Sequence, residues 1–183
     1  QTCALPILAA ALASMVGNLT VGKERFAAQE AEVKELLEQA EAARAELLQL
    51  AEDDAKVFES FMACYKLPKA TDAEKAARTQ AVRMAAKRAA AVPLAIARKA
   101  LLTLQLADRL VAVGNPGVIT DGACSALLAR AALRCADYNV RINLQLTKDA
   151  EYNEAVSREL TAMLEQAALL EARALQDTDA ALA

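Results

Sequence analysis

Apolar residues return at helical spacing along the stretch that follows Lys23: Leu36, Leu37, Ala40, Ala43, Leu47 and Leu50, then Val57, Phe58, Phe61, Met62 and Tyr65. A stripe with this period lies on one face of a helix, and a helix over 23–65 is long enough to span a domain at about 1.5 Å per residue. No segment alternates with period two for long enough to suggest a sheet. Hydrophobic residues make up 56% of the 183 positions, much of it alanine, with few aromatics, five Gly and four Pro. That composition favours helices packed closely on helices, and the length suits one all-α domain with a sizeable core.

An acid interrupts the stripe. Asp54 stands four residues after Leu50 and four before Phe58, so the periodicity points its side chain inward. A carboxylate among Leu and Phe must either raise its pKa or find a partner. Many such acids are held in structural ion pairs, so the position makes Asp54 a candidate catalytic group without deciding the matter.

Five helical segments can be read. The first runs over about 8–21 and is nearly all apolar, which predicts a helix surrounded by others. The second covers 23–65 and ends at "KLPKATD", where Pro68 stops it and Thr71 with Glu74 offers a capping box for the third. The third covers 72–113, with Pro93 expected to kink or divide it near Val92. "GNPG" at 114–117 is a turn, and Thr120 or Asp121 is expected to cap the fourth segment, which runs to about Leu146. The fifth runs over 148–176, and "DTDAALA" is expected to fray.

Composition excludes several chemistries. The chain has no histidine, which rules out His-based triads, His-bearing zinc sites and imidazole proton shuttles. No metal-ligand spacing and no glycine-rich phosphate loop appears. Cys3, Cys64, Cys124 and Cys135 show no CxxC pairing, and they read as buried, reduced thiols of a cytoplasmic protein. A net charge of −3 gives no reason to expect nucleic acid. The first 22 residues carry no charged side chain, but they lack a basic leader and are polar in their second half, so a core helix is expected there and no membrane partner.

Two further groups draw notice. Leu128, Ala132, Cys135, Asn139, Ile142, Asn143 and Leu146 share one helical face, so Asn139 and Asn143 are adjacent amides on an apolar side. Buried amides must be satisfied, either by an interhelical hydrogen bond or by a ligand, and both readings stand. Lys66 and Lys69 flank Pro68 at a helix exit, where the dipole favours cations and an anion could also bind. The stretch containing Lys75, Arg78, Arg83, Lys87, Arg88, Arg98 and Lys99 is basic, as either a solvated face or a landing strip for a polyanion.

"ALASMVGNLTVGK", "DDAKVFESFMACYKLPK", "AAAVPLAIA", "GNPGVITD" and "NVRINL" occur in this order between residues 11 and 144. Together they resemble the cyclodeaminase/cyclohydrolase family, which includes the cyclodeaminase half of formiminotransferase-cyclodeaminase and free-standing methenyltetrahydrofolate cyclohydrolases. The resemblance implies an all-α bundle of about five helices, working as a homodimer on one-carbon units carried by tetrahydrofolate. It places the family's catalytic acid on Asp54 and makes Asn115, Asp121, Asn139 and Asn143 candidates for lining the folate cleft. Lys66 and Lys69 become candidates for binding the glutamate tail of the substrate. Neither family reaction needs a metal or redox cofactor, because the folate is itself the substrate.

The resemblance fails over residues 1–7. Family members carry a turn like "PGGGS" before the first helix, whereas "QTCALPI" stands here and back-translates into a common sequencing-adapter read. The expectation is therefore a non-native leader over 1–7 and a single helical domain over 8–183. A non-catalytic helical dimerisation module, or an inactive truncated remnant, is the competing reading: the altered turn argues for it, Asp54 and the Asn pair against it.

Overall fold

The computed structural model describes residues 3–183. Five α-helices account for most of it: α1 (Ala4–Asn18), α2 (Glu30–Cys64), α3 (Asp72–Val113), α4 (Ile119–Thr147) and α5 (Ala150–Leu182). No strand occurs among the described residues. Within the four-helix core, α1 and α3 each pack against both α2 and α4, and α5 lies against α3 and α4. Alanines make these contacts close. Ala90, Ala97, Ala100 and Ala107 on α3 and Ala126, Ala129, Ala132 and Ala136 on α4 all lie within one core cluster. Gly17 permits a similar approach on the other side, because a Cβ there would stand 3.0 Å from Leu37 Cβ.

The helix bounds differ from the sequence reading in ways the local chemistry explains. The first helix begins at Ala4 and ends at Asn18; residues 1–2 of the expected leader lie outside the described residues. It is not surrounded. Ala9, Ala10 and Ala13 are buried, but Leu8 is 51% exposed and Met15 also faces outward. The second segment does not start at Lys23, because Glu24–Gln29 forms a 3₁₀ stretch with a break at Phe26. Thr71 and Glu74 form the reciprocal capping box. Pro93 does not divide α3, which continues to Val113. Neither Thr120 nor Asp121 caps α4: the helix starts at Ile119, and Asn115 instead caps a short 3₁₀ turn at Pro116–Val118. The last helix reaches Leu182, where Thr178 is buried and donates to Ala174 O. The cysteines are free, yet only Cys3 is buried, and Cys124 is exposed.

By length and composition α3 is the one described helix able to cross a membrane, but 56% of its most apolar window is buried among its neighbours. It is the central helix of the bundle, touching α1, α2, α4 and α5.

Candidate active site

α1 is the shortest member of the core, 15 residues against 35 for α2. It runs antiparallel to α2: Gly17 near its end meets Leu37 at the foot of the bundle, and Cys3 at its start lies near Asp54. Above Cys3, α2 and α4 become the walls of a trough and α3 its floor. The α2 stripe continues past the end of α1, so one helix face is core below and trough wall above. This geometry corrects the inward reading of Asp54. Leu47 is fully buried, but Asp54 is exposed, as are Phe58 and Met62.

The first part of the trough is a cleft of about 180 Å³. Asp54, Val57, Phe58 and Phe61 line it from α2, Ala89 and Pro93 from α3, Asn139 and Asn143 from α4. Cys3 lies close by, at the start of α1. Burial pushes its thiol pKa up, and the Asp54 carboxylate pushes it in the same direction. The neighbouring Asp53 turns away and accepts from Gln49 at 3.1 Å.

Asn143 is half-buried and donates through Nδ2 to Ala89 O of α3 at 3.1 Å and to Asn139 O at 2.8 Å. The interhelical role left open by the sequence is therefore real for Asn143, and the same residue also lines the cleft. Asn139 is exposed at the cleft wall and donates to Cys135 O at 2.9 Å.

One turn further along the same helices lies a second cavity, of about 530 Å³. Its cations are Lys69, from the α2–α3 connection, Lys75, Arg78 and Arg83 of α3, and Lys148 at the end of α4. Tyr65, Thr79, Val82 and Leu146 complete the lining, which contains no carboxylate. Lys75 is paired with Asp72 at 2.8 Å. Arg78 donates to Tyr65 O at 3.0 Å and lies over the Tyr65 ring. No carboxylate among the described residues pairs with Lys69, Arg83 or Lys148. Five cations without a lining acid form an anion-attracting field. Cleft and cavity together have the size of a small-molecule site.

The sequence-derived candidates thus divide. Asp54, Asn139, Asn143 and Lys69 meet along one trough; Lys66 is exposed and lines neither part. Asp121 lies in the first turn of α4, roughly 27 Å from Asn139 at about 1.5 Å per residue, and Asn115 lies in the turn before that helix. Asn115 is a clip: its N–H donates to Thr20 Oγ1 at 2.9 Å and its Nδ2 to Leu19 O at 3.0 Å. The basic stretch of α3 also divides, because Lys87, Arg98 and Lys99 are taken by Asp149, Glu159 and Glu46. Arg78 and Arg83 remain for the cavity, beside Lys75 in its pair with Asp72. Phe58 and Phe61 were read as core and are cleft wall. Lys148 had no sequence signal, since its place depends on the corner between α4 and α5.

Comparison with known proteins matches this arrangement to one family. The family model described as formiminotransferase-cyclodeaminase matches residues 2–162. The chain belongs to that family. Methenyltetrahydrofolate cyclohydrolase of Methylorubrum extorquens is 40% identical over 166 residues, covering 91% of this chain and 80% of the relative. Formimidoyltransferase-cyclodeaminase of Sus scrofa is 32% identical over 160 residues, and the match spans 87% of this chain but only 30% of that longer protein. Among solved structures, formiminotetrahydrofolate cyclodeaminase of Thermotoga maritima superposes with a TM-score of 0.88 at 27% identity, over 100% of this chain and 87% of the other.

Proposed function

We propose that this member of the formiminotransferase-cyclodeaminase family is a folate one-carbon enzyme acting as a methenyltetrahydrofolate cyclohydrolase, with Asp54 as general acid and base. The observation that carries the reading is the trough itself. An acid stands between aromatic walls and paired amides, and the next turn of the same helices carries a cavity lined by cations. A folate has matching parts: a flat ring with a reactive carbon at N5 and N10, and a tail of carboxylates.

In the cyclohydrolase reaction water adds to the electron-poor methenyl carbon. The Asp54 carboxylate accepts its proton as the C–O bond forms. The same proton then passes to N5 as the N5–C bond breaks, leaving the formyl group on N10. The second hydrogen of the added water leaves to solvent, which balances the loss of the substrate's positive charge. Fold similarity to the Thermotoga maritima protein supports a second reading, formiminotetrahydrofolate cyclodeaminase. There N10 attacks the formimino carbon, Asp54 takes the N10 proton and returns one to the leaving ammonia. Neither reaction calls for a metal or a redox cofactor.

Lys69, Arg83 and Lys148 are the groups we assign to the substrate's glutamate tail, polyglutamylated chains included. We also assign the chain a homodimeric state. Leu8, Met15, Leu19 and Leu48, exposed on and beside α1 and α2, support a second copy there. Sedimentation velocity at micromolar concentration tests it, and a monomer would end it. The function is tested by following the near-ultraviolet methenyl chromophore with each substrate. Enzyme-dependent loss from 5,10-methenyltetrahydrofolate is expected, and Asp54→Asn should slow it by about 10²–10⁴-fold. Full turnover by a folded Asp54→Asn protein would refute the assignment, and a rise with 5-formiminotetrahydrofolate alone would favour the second reading.

A further inference from the structure

Proline is the least favourable residue in a helix interior, yet Pro93 sits buried inside α3 on the floor of the Asp54 cleft. It lacks the N–H that would bond the carbonyl four residues back, and that residue is Ala89. The freed Ala89 carbonyl is taken up by Asn143 Nδ2 at 3.1 Å from the facing helix. The second hydrogen of the same amide goes to Asn139 O at 2.8 Å. Both partners are carbonyl oxygens, so the reversed amide would place acceptor against acceptor twice. Only one orientation of Asn143 is satisfied, and it leaves Oδ1 as the remaining acceptor of a residue that lines the cleft.

We infer that Pro93 is a positioning residue which fixes the Asn143 amide, so that Asn143 Oδ1 accepts a hydrogen bond from the N–H-bearing edge of the ligand's ring. The inference rests on the folate reading, in which the pterin ring carries neighbouring amide and amine donors. An alanine at 93 would give Ala89 O a donor within α3, so the carbonyl would no longer depend on Asn143 and would hold its amide less firmly. As a purely structural device the pair is therefore redundant, whereas as a means of holding an acceptor still it is economical. The arrangement works as pre-organisation: the amide has no second orientation to lose when the ligand binds.

The test is a double-mutant cycle of Pro93→Ala and Asn143→Ala, read by melting temperature, by KM and kcat for 5,10-methenyltetrahydrofolate, and by tetrahydrofolate binding. Pro93→Ala should melt at or above the wild-type temperature and yet raise KM and the tetrahydrofolate Kd by about threefold to tenfold, the worth of one hydrogen bond. Its kcat should change less than its KM. Asn143→Ala should raise KM similarly and lower the melting temperature, because Ala89 O then lacks a donor. In the double variant KM should be no higher than in Asn143→Ala alone, and the melting loss should be repaired. Wild-type KM in Pro93→Ala, or effects that simply add, would overturn the inference. Side-chain amide exchange of Asn143 gives a readout independent of folate: slow in the wild type, fast in Pro93→Ala. If wild-type protein neither turns over nor binds a folate, the functional reading fails and Asn143 loses its proposed ligand. Unchanged amide exchange in Pro93→Ala would remove the positioning role of Pro93 itself.

Discussion

Replacing Lys148 with glycine should separate the stability of the fold from the binding of an anionic tail. Lys148, at the end of α4, is the one non-glycine residue among those described with a positive φ, at φ 53° and ψ 33°. An L side chain in this region costs roughly 1–2 kcal/mol, which glycine removes. Glycine's greater freedom in the unfolded chain takes back about 0.5–1 kcal/mol. The net gain is roughly 0–1.5 kcal/mol, which for a chain of this size leaves Tm unchanged or raises it by up to about 4 °C. The same substitution removes one of the five cations that line the cavity. A partly exposed ion pair contributes a few tenths of a kcal/mol to about 1 kcal/mol, so losing one weakens binding about 1.5-fold to 5-fold. The assay is circular-dichroism melting together with initial rates on monoglutamyl and triglutamyl 5,10-methenyltetrahydrofolate. KM for the triglutamate should rise within that range, KM for the monoglutamate should rise less, and kcat should hold. A melting temperature lowered by several degrees would show that the lysine side chain itself secures the corner. Equal KM effects on both substrates would show that the tail does not reach Lys148.

Other substitutions probe the scaffold. Asn115→Ala loses the hydrogen bonds to Leu19 O and from Gly117 N, so thermal melting should show a loss of about 1–2 kcal/mol with KM unchanged; a raised KM would bring the turn into the site after all. Asp137 is 1% exposed and accepts from Arg141 at 2.6 Å, with Arg134 at 3.8 Å. Arg141→Ala should lower stability by about 2 kcal/mol, below the usual range for an uncompensated buried charge because Arg134 remains. A neutral outcome in chemical denaturation would contradict that. The Lys87 ammonium beside Asp149, helped by the Tyr152 N–H, holds that carboxyl below its ordinary value of 3.8. A depressed folded-state pKa adds stability above the unfolded value, and that increment disappears as pH falls through the folded value. The Tm difference between wild type and Lys87→Met should therefore be present at pH 7 and shrink below pH 3.8; a difference constant from pH 7 to pH 2.5, an acid limit chosen at about that value to lie below the ordinary carboxylate range, would discount the pair.

Much of the bundle is legible in the chain because the helices carry their own punctuation. Thr71 and Glu74 announce the start of α3, and the turn at 114–117 separates it from α4. Asp54 is legible as an anomaly, since an acid on an apolar stripe demands a reason, but its surroundings are not. Periodicity gives the direction of a side chain and not what stands opposite, and opposite Asp54 there is a trough where Leu47 meets α1. The same limit turned Phe58 and Phe61 into core residues, and made Leu8 look enclosed. Lys69 could be told from Lys66 only by the path of the α2–α3 connection. Asn115 and Asp121 share motifs with the family, and motif position does not say which end of a helix bundle a residue occupies.

Three local choices in this chain run against intrinsic preference: a proline within α3, a pair of asparagines on an apolar face of α4, and a lysine where a helix end favours glycine. A sequence selected only for a stable bundle would have alanine, leucine and glycine at these places. Pro93 and the two asparagines line the Asp54 cleft, and Lys148 lines the cavity beyond it. Local inconsistencies that collect in one groove are the pattern expected where the requirements of a ligand outweigh those of folding. The opposite end of the bundle has polar residues as well, but there Thr20, Asn115 and Ser125 are satisfied by backbone partners. The difference lies in what these groups bind: Thr20, Asn115 and Ser125 close on the protein's own backbone, whereas Asp54 in the cleft and Lys69, Arg83 and Lys148 in the cavity form no ion pair among the described residues.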